Sequence, residues 1–314
     1  MTIMNRLITI IAAALSFATT VTAQVPTAKE FNDRYQLLVS KLGPSGVGIE
    51  TLLNRWDAAY PDDIDMLTGK FSYYFSKAQT TSVEAKKQEK YLGEKPVLTL
   101  KDSTGKETRY FQETFYDDEL FGLAQKAIEK AIQVAPDRLD LRFVKAASLV
   151  GYEKESPDMA LSYLKSLIIY NETQHPKWEY PGTENADEEF FSTAVQEYCY
   201  LFFKYGTPSS YEAFRELSST MLSYKPDDVL FLDNMGSYYL VAKREDKTAL
   251  KYYSKVLKLK NDDLTAIKNI ILMARNSGNV KLEKKYLPLL ERYSESESEK
   301  LSAKARLEQL SSGK

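Results

Sequence analysis

Apolar residues recur every three or four positions along most of the chain, with polar residues between them. This spacing places the apolar side chains on one face of an α-helix, so it predicts a mainly helical protein. Strict alternation of apolar and polar residues, which predicts strands, is confined to one segment near residue 100. Helices are predicted at about residues 28–41, 46–59, 63–78, 80–91, 117–134, 137–152, 157–170, 187–205, 208–224, 227–242, 246–259, 262–276, 279–292 and 296–310.

Three turns between predicted helices have the same composition. They are Tyr60-Pro61-Asp62-Asp63, Ala135-Pro136-Asp137-Arg138 and Lys225-Pro226-Asp227-Asp228. Proline ends the preceding helix because it lacks a backbone N–H, and the acidic residue is a preferred cap of the next helix. The repeated turn indicates that the chain contains several copies of one helix pair.

Small, apolar and aromatic residues follow a fixed order within these helices. One type of helix carries Ala124, Ile128, Ala131 and Pro136, and the other carries Leu232, Met235, Gly236 and Tyr239. Together they resemble the two helices of the tetratricopeptide repeat (TPR), a unit of about 34 residues. About five or six such units, some degenerate, are recognisable by this spacing. The resemblance implies helix pairs that stack into a superhelix, with a concave surface formed by the first helix of each pair.

The alternating segment reads VLTLKDSTGKETRYFQ and contains a turn-rich DSTGK. It predicts a β-hairpin of Val97–Lys101 and Thr108–Gln112, inserted between helices at about residues 96–113. The predicted fold class is therefore all-α: a TPR-like α-solenoid of antiparallel helix pairs with a small inserted β-hairpin.

The first residues have the features of a secretory signal peptide. Arg6 supplies a positive charge, LITIIAAALSF an apolar core, and Val21-Thr22-Ala23 a small-residue cleavage site. The sequence predicts that residues 1–23 are removed and that the protein is exported. A membrane anchor is the alternative, but the apolar run is shorter than the roughly 20 residues of a spanning helix. We expect a periplasmic or envelope-associated protein of a Gram-negative bacterium, with no stable membrane insertion after cleavage.

Two segments follow the signal peptide in the predicted organisation. Residues 24–292 form the TPR-like repeat domain, which includes a long loop at about residues 171–188. Residues 293–314 contain a short linker, SESESEK, and a helix with a single apolar stripe. We expect this helix to cap the repeats, because a terminal repeat needs a polar outer face.

The residues that common catalytic and metal sites require are scarce. The chain has one histidine, His175, and one cysteine, Cys199, in different segments. Because zinc sites and Cys-His or Ser-His-Asp catalysis need clusters of such residues, we expect no enzyme activity, no catalytic residues, no metal and no cofactor. Cys199 lies among large apolar residues and is interpreted as a buried side chain without a disulfide partner. The formal net charge of −2 argues against nucleic acid as the main partner.

The resemblance favours a non-enzymatic interaction scaffold that binds a protein or peptide partner, or a second copy of itself. By the register of the repeats, the concave face carries five polar residues of two first helices. These candidate partner-binding residues are Asp233, Ser237, Thr265, Lys268 and Arg275. The alternative for each of them is a surface residue that only keeps the protein soluble.

Glycan or small-ligand binding is the second hypothesis. Outer-membrane sugar-binding proteins of nutrient-uptake systems resemble this helical core decorated with loops. Trp178 and Tyr180, in the predicted loop 171–188, would then be the stacking residues. The chain departs from those proteins because it is short and lacks their lipid-anchor cysteine.

Overall fold

A computed structural model describes residues 25–183 and 186–312. The predicted signal peptide, residues 1–23, lies outside the described residues. The helices of the described chain are α1 (Ala28–Leu42), α2 (Ile49–Ala59), α3 (Ile64–Ala78), α4 (Asp118–Val134), α5 (Leu139–Glu153), α6 (Asp158–Gln174), α7 (Glu188–Tyr205), α8 (Pro208–Tyr224), α9 (Val229–Tyr238), α10 (Asp246–Leu259), α11 (Leu264–Asn276), α12 (Val280–Tyr293) and α13 (Glu297–Ser311). A three-stranded sheet lies between α3 and α4, with strands β1 (Gln79–Lys86), β2 (Leu98–Lys101) and β3 (Glu107–Tyr116).

Aspartates cap several of the helices, as predicted for two of the three repeated turns. After the turn Ala135-Pro136-Asp137-Arg138 the prediction is wrong, because α5 starts after Arg138 with no side-chain cap. Asp63, Asp117, Asp228 and Asp263 each precede a helix and accept a hydrogen bond from a backbone N–H of its first turn. These bonds satisfy donors that have no partner inside the helix, and the negative charge is favourable at this end of the helix dipole. Local sequence therefore fixes where these helices start.

The helices pack in pairs along a one-dimensional array. Each helix packs against helices one or two places away in sequence, and the first helices α7, α9 and α11 contact one another in turn. The second helices α6 and α8 also contact each other, so the array has two layers. Its buried core follows the chain in three successive clusters. This arrangement confirms the predicted TPR-like α-solenoid, in which each unit buries the apolar face of its neighbour.

Gly236 shows why small residues are needed where helices meet. A Cβ atom added at Gly236 of α9 would lie 2.5 Å from the ring of Tyr253 on α10. The glycine therefore lets an aromatic ring pack directly on the backbone of the first helix. Gly69 of α3 has an equivalent role, because its added Cβ would lie 3.0 Å from Leu53 of α2. Both glycines therefore lie where neighbouring helices approach closely.

The sheet is larger than the predicted hairpin. The strand order is β1-β3-β2, and both pairings are antiparallel, so β2 and β3 form the predicted hairpin and β1 adds a third strand. The prediction of a helix over residues 80–91 is wrong. Residues Thr80 to Val83 are β-branched at three of four positions, and β3 offers ten residues for pairing, which outweighs the weak helical spacing.

The sheet is an insertion within one helix pair, because it separates α3 from its partner α4. The N–H of Asp117 donates to the carbonyl oxygen of Ala78 at 2.9 Å, so the chain leaves and re-enters the array at adjacent points. Consequently α3 and α4 still pack as a pair.

Two helix ends differ from the sequence prediction. α6 extends to Gln174 and ends at His175, whose φ of +48° is left-handed. The predicted long loop is therefore shorter at its start. α9 continues as a π-helical segment, Tyr239–Lys243, before a left-handed residue at Arg244 ends it.

Candidate functional site

The five predicted partner-binding residues lie on the first helices α9 and α11, and their exposure differs. Thr265, Lys268 and Arg275 on α11 are exposed, whereas Ser237 of α9 is half-buried and Asp233 is buried. The hydroxyl groups of Ser237 and Tyr253 lie 3.1 Å apart in a hydrogen bond between α9 and α10. Only the α11 residues are therefore freely accessible to a partner.

Asp233 is a buried carboxyl group with an unusual environment. Only 8% of the residue is exposed, and its Oδ1 has no hydrogen-bond partner among the described residues. Burial, followed by the negative charge of Asp263, raises the pKa of Asp233 to about 8. Asp233 is therefore mainly protonated at neutral pH and presents no negative charge to a partner.

A pair of side-chain amides joins α7 to α9 beside Asp233. Gln196 Nε2 donates to Asn234 Oδ1 at 2.9 Å, and Asn234 Nδ2 donates to Gln196 Oε1 at 2.6 Å. Asn234 Nδ2 also lies 3.1 Å from Ser218 Oγ on α8. These bonds fix the spacing of two first helices and use both amide hydrogens of Asn234. The sequence carries no signal for this contact, since the two amides are 38 residues apart.

The two predicted cations of α11 already have acidic partners within the chain. Lys268 Nζ lies 2.7 Å from Glu299 of α13, and Arg275 Nε lies 2.7 Å from Glu283 of α12. Glu283 is buried and also accepts two hydrogen bonds from Arg306 of α13. Arg306 and Arg275 together hold the pKa of Glu283 below its usual value. Both predicted cations thus tie the last helices to α11.

Large apolar side chains are exposed on the first helices α7, α9 and α11. Tyr200 of α7 is 61% exposed, Leu230 of α9 is 43% exposed and Leu272 of α11 is 48% exposed. Leu230 is three residues before Asp233, and Leu272 is four residues after Lys268, so both share a stripe with the predicted residues. Tyr200 is four residues after Gln196, whose amide contacts α9. Sequence reasoning missed these three because apolar residues at helical spacing are normally assigned to the core.

We call these exposed side chains of the first helices the first-helix patch. Its members come from α7, α9 and α11 and combine apolar with polar side chains. They are Tyr200, Leu230, Thr265, Lys268, Leu272 and Arg275. Such mixtures of apolar side chains and polar surroundings are typical of protein-binding surfaces.

Trp178 and Tyr180, the predicted stacking residues, are half-buried against the helical core. Trp178 Nε1 donates to Asn171 Oδ1 at 2.8 Å, and its ring lies parallel to that of Phe191, with ring centroids 6.4 Å apart. The Tyr180 ring packs against that of Phe190, with ring centroids 4.9 Å apart. The structure therefore engages both rings in packing within the chain.

Groups that could bind a metal or act as nucleophiles are scarce in the described part of the chain. Within residues 25–183 and 186–312, no three histidine, cysteine or acidic side chains are grouped as metal ligands. In those same two ranges, no helix is long and apolar enough to cross a bilayer. Cys199 is fully buried 3.6 Å from Ser218 Oγ, and burial raises the pKa of its thiol to about 12. The interpretation of Cys199 as a buried side chain is confirmed.

Comparison with solved structures returns, among others, two that each cover most of this chain. One comes from a functional characterisation of Pseudomonas aeruginosa PilF; it is 12% identical, with 89% of this chain and 99% of that chain covered and a TM-score of 0.36. The other is the flexible tandem repeat domain of a bacterial cellulose synthase component, which is 13% identical, with 91% and 98% covered and a TM-score of 0.28. No family model and no curated protein matches the sequence.

Proposed function

We propose that this protein is an exported, non-enzymatic scaffold of the bacterial cell envelope that binds a protein or peptide partner on the first-helix patch. The observation that carries the proposal is the exposure of Tyr200, Leu230 and Leu272 beside polar residues on consecutive first helices. Aromatic anchors such as Tyr200 often supply much of the binding energy in protein interfaces, and exposed apolar patches mark interaction sites. A second copy of this chain is one partner that the patch would accept.

The rigidity of the patch supports this role. The amide pair between Gln196 and Asn234 holds α7 against α9. The Tyr253 ring of α10 packs on Gly236 of α9 and so holds these two helices together. A surface held on packed helices loses little conformational entropy when a partner binds. The charges of Lys268 and Arg275 are matched within the chain, so apolar contacts carry the affinity and the polar residues adjust specificity.

Site-specific photo-crosslinking in the native cells tests the patch. A photoreactive amino acid replaces Leu272, and in a matched control it replaces Leu259 of α10, which is 47% exposed on the second-helix layer. We expect a discrete crosslinked product at position 272 that is absent at position 259. Equal crosslinking at both positions, or none at either, would contradict the assignment of this face.

The same pair of positions tests affinity once a partner is identified. We expect Leu272→Glu to weaken binding about tenfold or more, because it places a charge in the apolar part of the interface. Leu259→Glu should leave the dissociation constant unchanged. Reversal of the charge at Arg275 is a poorer test, since it also breaks the ion pair with Glu283.

Export is proposed from the predicted signal peptide and is tested separately. We expect the protein in the periplasmic or envelope fraction, with a mature chain that starts at Gln24. Amino-terminal sequencing of the fractionated protein measures both properties. A chain that still starts at Met1 in the cytoplasmic fraction would overturn the export proposal. It would not bear on the proposal that the first-helix patch binds a partner.

Glycan binding through Trp178 and Tyr180 is the second candidate. Its support is the partial exposure of both rings in the segment between α6 and α7. The packing of Trp178 on Phe191 makes the scaffold the better-supported proposal. A glycan array with the wild-type protein and Trp178→Ala distinguishes the two, because only the glycan proposal expects signals that the variant loses.

A further inference from the structure

A cavity of about 540 Å³ lies between the inserted sheet and the helical array. One wall is the β1–β2 loop with strand β3, and the other is formed by the carboxyl ends of α5 and α7. The volume is in the range of roughly 300–1,000 Å³ that is usual for small-molecule sites. None of the candidate residues predicted from the sequence lies here.

The β1–β2 loop is held against α7 by close contacts. Gly93 has a left-handed φ of +79°, and an added Cβ would lie 2.4 Å from the carbonyl oxygen of Lys204. Next to it, Lys204 Nζ pairs with Glu94 at 2.6 Å, and the backbones of Tyr91 and Glu94 exchange two hydrogen bonds of 3.0 Å. The outer wall of the cavity is therefore preformed, and a ligand would not have to order it.

Lys154 is the half-buried cation of this cavity, whereas the lining residues Lys95 and Lys204 are exposed. Lys154 follows the last residue of α5 with a left-handed φ of +45°. Its ammonium group donates to the carbonyl oxygen of Thr114 and lies 5.5 Å from the ring centroid of Phe115. Among the described residues it forms no ion pair, whereas the neighbouring Lys86 is paired with Glu113 at 2.9 Å. An ammonium group keeps two further donors for an incoming acceptor.

The acidic groups nearby are already occupied. Glu113 accepts from Lys86 and lies 2.7 Å from the hydroxyl of Tyr91, which also lies 2.7 Å from a carboxylate oxygen of Glu155. Partial burial lowers the pKa of Lys154, and the charge of Glu113 opposes this effect. The cost of desolvating Lys154 is therefore only partly offset, which favours an added anion.

Apolar and aromatic side chains form a second part of the lining, next to polar ones. Phe111 is buried in strand β3, and Leu201 and Tyr205 come from the last turns of α7. These side chains surround the space beside Lys154 and would accept an aromatic or aliphatic group. We propose that this cavity binds a small organic anion, with the anionic group on Lys154 and an apolar body against Phe111, Leu201 and Tyr205.

The experiment uses two fluorescent probes of similar shape and different charge. One is 8-anilinonaphthalene-1-sulfonate, which is an anion, and the other is neutral N-phenyl-1-naphthylamine. We expect the folded wild-type protein to bind the anion saturably. We expect Lys154→Met, which keeps the apolar stem, to weaken anion binding about tenfold and leave binding of the neutral probe unchanged.

Controls separate this site from other surfaces. Lys154→Arg retains the charge and should retain anion binding, and Lys251→Met on α10 should match the wild type. Leu272→Glu should also bind the anion normally, so failure of the first-helix patch and failure of this cavity are distinguishable. Circular dichroism and thermal melting confirm that each variant is folded.

Salt dependence of the wild-type protein gives a readout that needs no variant. We expect added sodium chloride to weaken binding of the anionic probe and not of the neutral one, because screening acts only on charge. The proposal is overturned if the wild type does not bind the anion, if Lys154→Met binds it with wild-type affinity, or if salt affects both probes equally.

Discussion

Asp233 shows how the same residue means different things in sequence and in structure. As a sequence position it is an acidic candidate on an exposed helix face, whereas in the structure it is buried with an unsatisfied oxygen. Its neighbour Asp263 is also buried and caps α11 through the N–H of Ala266. Because both carboxyl groups are buried close together, the neutral form of one of them is favoured.

Titration of Asp233 should make the free energy of unfolding decrease as the pH rises from about 4 to about 8. In this window the unfolded state has lost the proton and the folded state keeps it, because the folded pKa is about 8. For one group the slope is at most about 1.4 kcal/mol per pH unit. We therefore expect Asp233→Asn to gain stability over the wild type progressively across this range, with little further gain above pH 8.

Urea unfolding of both proteins at several pH values measures this effect. Asp263→Asn keeps a good capping residue and removes the charge that raises the pKa of Asp233. We therefore expect the pH-dependent fall in the free energy of unfolding to end at a lower pH in this variant. Parallel stability curves for the wild type and Asp233→Asn would show that Asp233 is not the titrating group.

Cys199 should be inert in the folded protein. Its side chain is fully buried, and a thiol with a pKa of about 12 holds almost no thiolate at pH 8. We expect a thiol reagent such as 5,5′-dithiobis(2-nitrobenzoic acid) to react only after addition of urea, with one equivalent per chain. Rapid reaction in buffer alone would mean that α7 opens readily.

At the scale of elements, two helical glycines predict opposite outcomes for the same substitution. Gly122 of α4 has no atom within 4 Å of an added Cβ, whereas Gly236 of α9 faces the Tyr253 ring at 2.5 Å. Gly122→Ala should stabilise the protein by about 0.5–1 kcal/mol, because alanine loses less backbone entropy in a helix. Gly236→Ala should destabilise it by about 1–3 kcal/mol through overpacking.

Denaturant unfolding of the two variants measures the difference directly. The pair controls for helix propensity, which favours alanine at both positions. If Gly236→Ala were as stable as Gly122→Ala, the close approach of α9 and α10 would not be rigid.

At the scale of the whole molecule, one buried carboxylate connects the last three helices. Glu283 of α12 bonds Arg275 of α11 and Arg306 of α13, and α13 itself contributes only one fully buried side chain, Ala303. Terminal repeats have a neighbour on one side only, so their attachment depends on few contacts. We expect Glu283→Gln to loosen α13 without unfolding the rest of the array.

Hydrogen exchange resolved by peptide reports this loosening. Amides of α13 should exchange severalfold faster in Glu283→Gln, and those of α5 to α8 should be unchanged. Glu297→Gln, which removes a strongly exposed partner of Lys300, serves as the matched control. Uniformly faster exchange would indicate a global loss of stability instead.

The sequence by itself determined most of the helices, several of their caps and the repeat. These features rest on local physics: apolar spacing, proline and aspartate at turns, and glycine where backbones meet. The terms that decide them act within a few residues, so a single chain displays them. The buried position of Cys199 was predictable for the same reason, since its neighbours in QEYCYLFF are large and apolar.

Only the tertiary structure decided the third strand, the state of Asp233, the amide pair and the sheet cavity. β1 forms because β3 is available to pair with it, and the pKa of Asp233 depends on Asp263, 30 residues away in sequence. The folded sheet places the carbonyl oxygen of Thr114, 40 residues away in sequence, beside the ammonium group of Lys154. Each of these properties depends on which distant groups share a low-dielectric space, and spacing along the chain does not encode that.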